Sequence, residues 1–409
     1  MPQESEFLKK LKALPGVVEV NPTRSRGGDL AESYVFMFEQ PLDHHNPDGA
    51  TFHQRVFITH RGYDKPVLLG TEGYAARGVS GGELQQMLNG NQVTLEHRYF
   101  GSSRPSPVDW KYLTVENSAH DLHTVVTTLK KIYPGKWVST GTSKGGQTAL
   151  FYKCYFPDDM DAVVAYVAPI NLAQEDPRIH QYLKTAGDAA TRDKIKQFQI
   201  AMLKRQDELL PLIKEQASRM EFNRLGLPAA YEYSILEYAY AFWQYGTSPD
   251  SIPAPDASAE AMLEHYNRVR TLYYYSDHGI SQFEAFLYQA FTEMGYYNYD
   301  IADFKPYLKT LKNPSNRVLC PEGVEITYDA GTMAFVYNFL LYKADRVVYI
   351  YGGADTWTAS QIPLLGHTDA LKFVNEGKHH GTGVRDFTPE QKKQFYAAME
   401  RWLGFELNQ

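Results

Sequence analysis

The stretch Trp137-Val138-Ser139-Thr140-Gly141-Thr142-Ser143-Lys144-Gly145-Gly146-Gln147-Thr148-Ala149-Leu150 decides how this chain is read. It begins as a short β-strand and continues, past a sharp turn, as a helix opening on two glycines. Gly141, Ser143 and Gly145 fit G-x-S-x-G, a pattern in which a strained turn lifts a serine hydroxyl above a sheet edge. Small neighbours let the backbone turn that tightly. The N–H of Lys144, first in the new helix, points towards any negative charge that forms beside Ser143, and the helix dipole adds partial positive charge there. Five residues match such a pattern by chance often enough; the strand before and the helix after give this match its weight.

Working outward, residues 17 to 20 and Ser33 to Gln40 carry the β-branched and aromatic content of strands. Thr51 to Thr59 alternates into a third strand, and Pro66 to Gly70 is a short buried one. An antiparallel meander feeding a parallel sheet fits this start. Thr71-Glu72-Gly73-Tyr74 follows the buried strand at once. Gln92 to Tyr99 is the next strand and runs from apolar residues straight into Glu96-His97-Arg98, charges at a strand's carboxyl end, where open α/β sheets bind ligands. Thr114 caps a helix with one apolar face that ends near Tyr133-Pro134-Gly135. His120 and His123 stand three apart on it, but no third ligand accompanies them, so they read as a solvated face and no metal is expected.

Asp161 to Pro169 is another buried strand, after which the strand and helix rhythm breaks. From about Asn171 to Ala344 the pattern is helical and rich in tyrosine: Lys194 to Glu215, Tyr231 to Tyr245, Ser258 to Tyr274 and Ile280 to Met294, with a Pro- and Ser-rich loop over Gly246 to Pro255. The sheet resumes with Arg346 to Gly352, Asp355 follows in the next turn, and Ala370 to Val374 is the last strand. His379-His380 lies on the loop after it. Thr388-Pro389-Glu390-Gln391 starts the closing helix.

The chain has 409 residues and a net charge of −7, with acidic and basic residues mixed. That gives no basic footprint for nucleic acid or an anionic membrane. No apolar run is long enough to span a bilayer, and the first ten residues lack the apolar segment of a signal peptide. The expectation is a cytoplasmic protein or one whose leader has been removed. Two cysteines, Cys154 and Cys320, are too few for a disulfide framework and read as buried thiols. Thirty tyrosines against twenty-one phenylalanines supply rings with polar tips, suited equally to a cleft wall and to a core.

A serine needs a base to become a nucleophile, and the base needs an anion to orient it. Ser143, then Asp355, then His379 or His380 supply the three in the chain order of α/β-hydrolases, acid and base each just past a predicted strand. The expected architecture is therefore an α/β-hydrolase fold, residues 1–170 and 346–409, with a helical cap inserted over 171–345. In such a fold the loop of Gly73 and Tyr74 supplies the second oxyanion donor beside Lys144.

Several blocks also resemble the bacterial tripeptidyl aminopeptidase family of serine peptidases, relatives of lysosomal Pro-X carboxypeptidase and dipeptidyl peptidase II. They are Phe38 to His44 with Phe52 to Arg55, Glu96-His97-Arg98-Tyr99-Phe100-Gly101, Gly141 to Gly146, Gly353-Ala354-Asp355-Thr356-Trp357, and His379-His380. The resemblance implies Ser143 as nucleophile, Asp355 as orienter and His379 as base. One departure is Thr356, where relatives commonly have proline. The resemblance further implies cleavage after proline or a small residue near a free amino terminus, with no cofactor, in a secreted or periplasmic protein. Such a site needs a carboxylate for the substrate ammonium, for which Glu72 and Glu96 are candidates, and rings for a proline, for which Trp357, Trp243 and Tyr74 are candidates. An esterase or lipase, and a hydrolase fold that only binds, are the rival readings.

Overall fold

The computed structural model describes residues 4–24, 31–79, 82–269 and 271–409. Nine strands form one sheet: β1 (Val17–Pro22), β2 (Glu32–Pro41), β3 (Thr51–His60), β4 (Val67–Thr71), β5 (Asn91–Leu95), β6 (Trp137–Thr142), β7 (Ala162–Tyr166), β8 (Val347–Gly352) and β9 (Ala370–Asn375). Their order is β1-β2-β3-β5-β4-β6-β7-β8-β9. The first three pair antiparallel, β3 runs antiparallel to β5, and the rest are parallel. This is the meander feeding a parallel sheet that the sequence pattern predicts. The order reverses around β4, so the loops after β4 and β6 leave the same carboxyl edge side by side, where open sheets bind ligands.

Helices α1 (Glu6–Lys12), α2 (Gly82–Leu88), α3 (Val115–Leu129) and α4 (Lys144–Tyr155) interleave with the strands up to β7. Period-two alternation divides the strands' side chains between two cores. Val138, Val164 and Val348 join α2 on one face, with α12 (Pro389–Leu403), while Trp137, Val163 and Val347 face the other, where α1, α3 and α4 pack. The capping box expected for α12 is present: Gln391 N–H donates to Thr388 Oγ1 at 3.2 Å and Thr388 N–H to Gln391 Oε1 at 2.8 Å.

Between β7 and β8 no strand is present among the described residues, apart from one isolated bridge, Glu175 to Tyr296. The cap consists of α5 (Pro177–Leu183), α6 (Ala189–Lys204), α7 (Gln206–Gln216), α8 (Leu227–Tyr245), α9 (Ala259–Val269), α10 (Asp277–Gln289) and α11 (Ala330–Tyr342). The single helix expected over Lys194 to Glu215 is two, broken at Arg205, where the backbone leaves helical geometry (φ −94°, ψ 14°). The helix expected from Ser258 stops at Val269; residue 270 lies outside the described residues, and Leu272–Tyr275 is a 3₁₀ turn. Helix α8 is apolar nearly all round and correspondingly buried, as such a helix must be. The apolar cluster on the α3 and α4 face continues without interruption into α6, α8 and α9, so cap and sheet share a core.

Candidate active site

The turn after β6 has the strain its sequence implies. Ser143 stands at φ 57° and ψ −123°, a conformation L-residues avoid, with its N–H donating to Tyr166 O at 2.8 Å. Backbone crowding accounts for the glycines: a Cβ on Gly141 would lie 2.2 Å from Gly145 O, and one on Gly145 would lie 2.5 Å from Thr71 O. Gly73 packs against the same turn, its missing Cβ 2.6 Å from Lys144 Cβ. Strand β4's loop and the start of α4 are thereby brought together. Lys144 opens α4, where first-turn N–H groups have no helical acceptor.

The Lys144 side chain is buried, its Nζ 5.9 Å from the Tyr74 ring centre and 5.7 Å from that of Phe100. No carboxylate pairs with it among the described residues, and burial holds its ammonium well below the usual lysine range. Beside it His97 is buried too, and burial together with the Lys144 charge pushes its imidazole well below the ordinary value.

Asp355 follows β8, fully buried, and caps the short turn after it. His380, not His379, meets it: His380 Nδ1 lies 2.7 Å from Asp355 Oδ2. His379 instead directs Nδ1 to Trp243 O at 3.1 Å and packs where a Cβ on Gly246 would stand, 2.3 Å from its Cδ2. The expectation for His379 is corrected accordingly. The end of α8 decides which histidine turns inward, because it takes the His379 ring on one carbonyl and the His380 N–H on the next, Gln244 O at 3.1 Å. Thr356 donates its hydroxyl to Tyr240 O on the same helix at 2.9 Å, a restraint that a proline there could not supply.

Ser143 lies on the wall of a cavity of about 260 Å³ roofed by α8 and α10, with Tyr74, Lys144, Gln147, Glu237, Tyr245, Tyr274, Tyr296, Tyr297 and Trp357 among its lining residues. Of the candidate rings, Trp357 and Tyr74 are on this wall. Trp357 packs on Tyr297 at 5.1 Å. Trp243 is not; it faces a second cavity of about 540 Å³ across α8, one that Ser143 does not line. Successive helix positions turn by about 100°, so Trp243 and its neighbour Gln244 line different cavities.

Neither carboxylate candidate lines the cavity. Glu96 is fully buried and its oxygens are taken by Arg55 Nη2, Ala76 N–H at 2.9 Å, and Ser103 N–H and Oγ at 3.0 and 2.8 Å. Arg98 grips Asp121 with two bonds of 2.7 Å, and Asp121 also meets His44 Nε2 at 2.8 Å. Gln40 and Gln54 tie the meander into the same knot through Asp121 O and Glu96 O. The charged run after β5 is therefore a structural lock. Glu72 is half-buried near it, its carboxyl pushed up to about 7 by burial and then by the Glu96 charge.

The carboxylate that does line the cavity, Glu237 on α8, was not anticipated. Burial pushes it up to about 7, against the hydroxyls of Tyr297 at 2.6 Å and Tyr299 at 3.2 Å. An acid in a helix with no polar face is the signal that could have found it. Among the described residues, no helix is long and apolar enough to cross a membrane. Both cysteines are buried free thiols, as expected.

A sequence profile of the family described as PS-10 peptidase S37 matches residues 2–408. A prolyl tri/tetrapeptidyl aminopeptidase of Streptomyces mobaraensis is 30% identical over 411 positions, covering 98% of this chain and 86% of that one. A probable serine protease, EDA2, of Arabidopsis thaliana is 23% identical over 466 positions, covering 95% and 92%. Among solved structures, a proline iminopeptidase of Mycobacterium smegmatis aligns over 94% of this chain and 98% of its own at 13% identity, with a TM-score of 0.38.

Proposed function

Because the chain belongs to the PS-10 peptidase S37 family, we propose that it is a serine aminopeptidase releasing short, proline-ended peptides from free amino termini, with Ser143, His380 and Asp355 as its triad. The observation that carries this reading is the His380 to Asp355 contact at 2.7 Å, on the sheet edge that also bears the strained Ser143. Asp355 accepts a hydrogen bond from His380 Nδ1–H, which fixes the tautomer and leaves Nε2 free to act as base.

In this mechanism His380 takes the Ser143 proton as the hydroxyl oxygen attacks the scissile carbonyl. The oxyanion rests on the N–H of Lys144 and on the loop of Gly73 and Tyr74. His380 then passes the proton to the departing amine as the C–N bond breaks; a water, giving its proton to His380, attacks the acyl carbon, and His380 returns that proton to Ser143 Oγ as the ester bond breaks. Residues 171–345 act as the cap and 1–170 with 346–409 as the catalytic body. Preference for proline is supported by the aromatic wall of Tyr74, Tyr296, Tyr297 and Trp357 and by the name of the Streptomyces relative. Export from the cytoplasm belongs to the same proposal and is supported by family likeness alone.

Mass spectrometry of products from a mixed peptide library tests the reading, with a fluorophosphonate probe reporting on Ser143. Short proline-ended products and labelling abolished by Ser143→Ala are expected. Turnover of acyl esters with none of peptides would overturn it in favour of an esterase, and absence of labelling would leave only a binding fold.

A further inference from the structure

We infer that Glu237 is the anchor for the free amino terminus of the substrate. The inference rests on the peptidase reading above and adds to it a binding residue.

Helix α8 buries two acids, and they differ. Glu232 accepts backbone N–H groups from Lys309, Thr310 and Leu311 at 2.7 to 3.1 Å, so its charge is met from within the fold. Glu237 has only phenols. Tyr297 donates to Oε2, but the single proton of Tyr299 is contested by Asn316 Oδ1, which is nearer at 2.7 Å. Among the described residues both of its hydrogen bonds go to Oε2, and no lysine or arginine contributes to its electrostatics. A carboxylate with one strong hydrogen bond and no counter-charge is expensive to bury. Yet this one sits on the wall of the same cavity as Ser143. What would complete it is a small cation bearing several N–H donors, and a peptide's terminal ammonium, flanked by the tyrosine rings, has that chemistry.

The test compares the parent and Glu237→Gln on a tripeptidyl amide ending in proline and on its N-acetylated twin. The variant is expected to lose about 10²-fold in kcat/KM on the free tripeptide, as when one partner of a buried charge pair is removed. Turnover of the acetylated twin should stay within about threefold, so that the preference for a free amine collapses. Fluorophosphonate labelling of Ser143 should proceed at the parent rate in both. An undiminished amine preference in the variant, with Ser143 labelled and peptides cut, overturns the anchor and leaves the peptidase reading standing. Loss of all peptide turnover in the parent overturns the peptidase reading instead. Should the variant not fold, protection of the parent decides: a free tripeptide product must slow labelling of Ser143 and its acetylated form must not, and equal protection refutes the anchor.

Discussion

His380 presents Nδ1 to Asp355 Oδ2 at 2.7 Å, while His379 beside it is turned to a carbonyl of the cap. Two adjacent histidines thus have separable jobs. His380→Ala should lower kcat by about 10⁴-fold or more, as loss of a triad base does. His379→Ala should keep turnover within about tenfold and lower stability by about 1 kcal/mol, since it loses packing at the end of α8. Steady-state kinetics with thermal unfolding of both variants measure this; equal losses of activity would contradict the assignment.

Tyr166 touches both halves of the machinery. Its carbonyl takes the Ser143 N–H, and its hydroxyl donates to Glu83 Oε1 at 3.0 Å. Glu83 in turn accepts the N–H groups of Val384 at 2.6 Å and Arg385 at 3.0 Å, on the loop that carries His380. Glu83→Ala should free that loop and lower kcat about tenfold with little change in KM, a positioning effect. An unchanged kcat with a raised KM would show that Glu83 acts on binding instead.

The glycines of the turn can be ranked by what surrounds them. Gly145→Ala drives a Cβ against Thr71 O at 2.5 Å, and backbone cannot step aside, so a loss of roughly 3 kcal/mol or failure to fold is expected. Gly381, next to His380, has nothing within 4 Å of an added Cβ. Gly381→Ala should therefore change stability by no more than about 0.5 kcal/mol. Denaturant midpoints of the two variants provide the comparison.

The elbow was legible because its strand, serine, glycines and helix are neighbours in the chain, and the Thr388 cap for the same reason. The choice between His379 and His380 was not, because it is made by carbonyls of α8 some 136 residues away. Charges after β5 looked like a ligand site, yet their partners Arg55 and Asp121 come from β3 and α3 and consume them. That lock gives its own prediction: Arg98→Lys cannot reproduce the two-pronged grip on Asp121 and should cost about 3–5 kcal/mol. Its kcat per active site, titrated with fluorophosphonate, should match the parent. A lower value would return the run to the active site.

Glu237 also makes a prediction about stability that needs no substrate. Its carboxyl is raised from an ordinary 4.5 to about 7, mainly by burial, and the groups bonded to it are the phenols of Tyr297 and Tyr299. The folded state therefore binds a proton more tightly than the unfolded chain, so this group's effect on stability is neutral below about pH 4.5. Stability falls as pH rises from there to about 7 and then levels off, a loss on the order of 3 kcal/mol. Glu237→Gln keeps an acceptor for Tyr297 and never ionises. It should match the parent at pH 4 and exceed it at pH 8 by a gap of that order, measured as urea midpoints. A gap of equal size at both pH values would mean that Glu237 ionises in the fold as easily as in water, so that its charge is already met within the fold and calls for no ammonium.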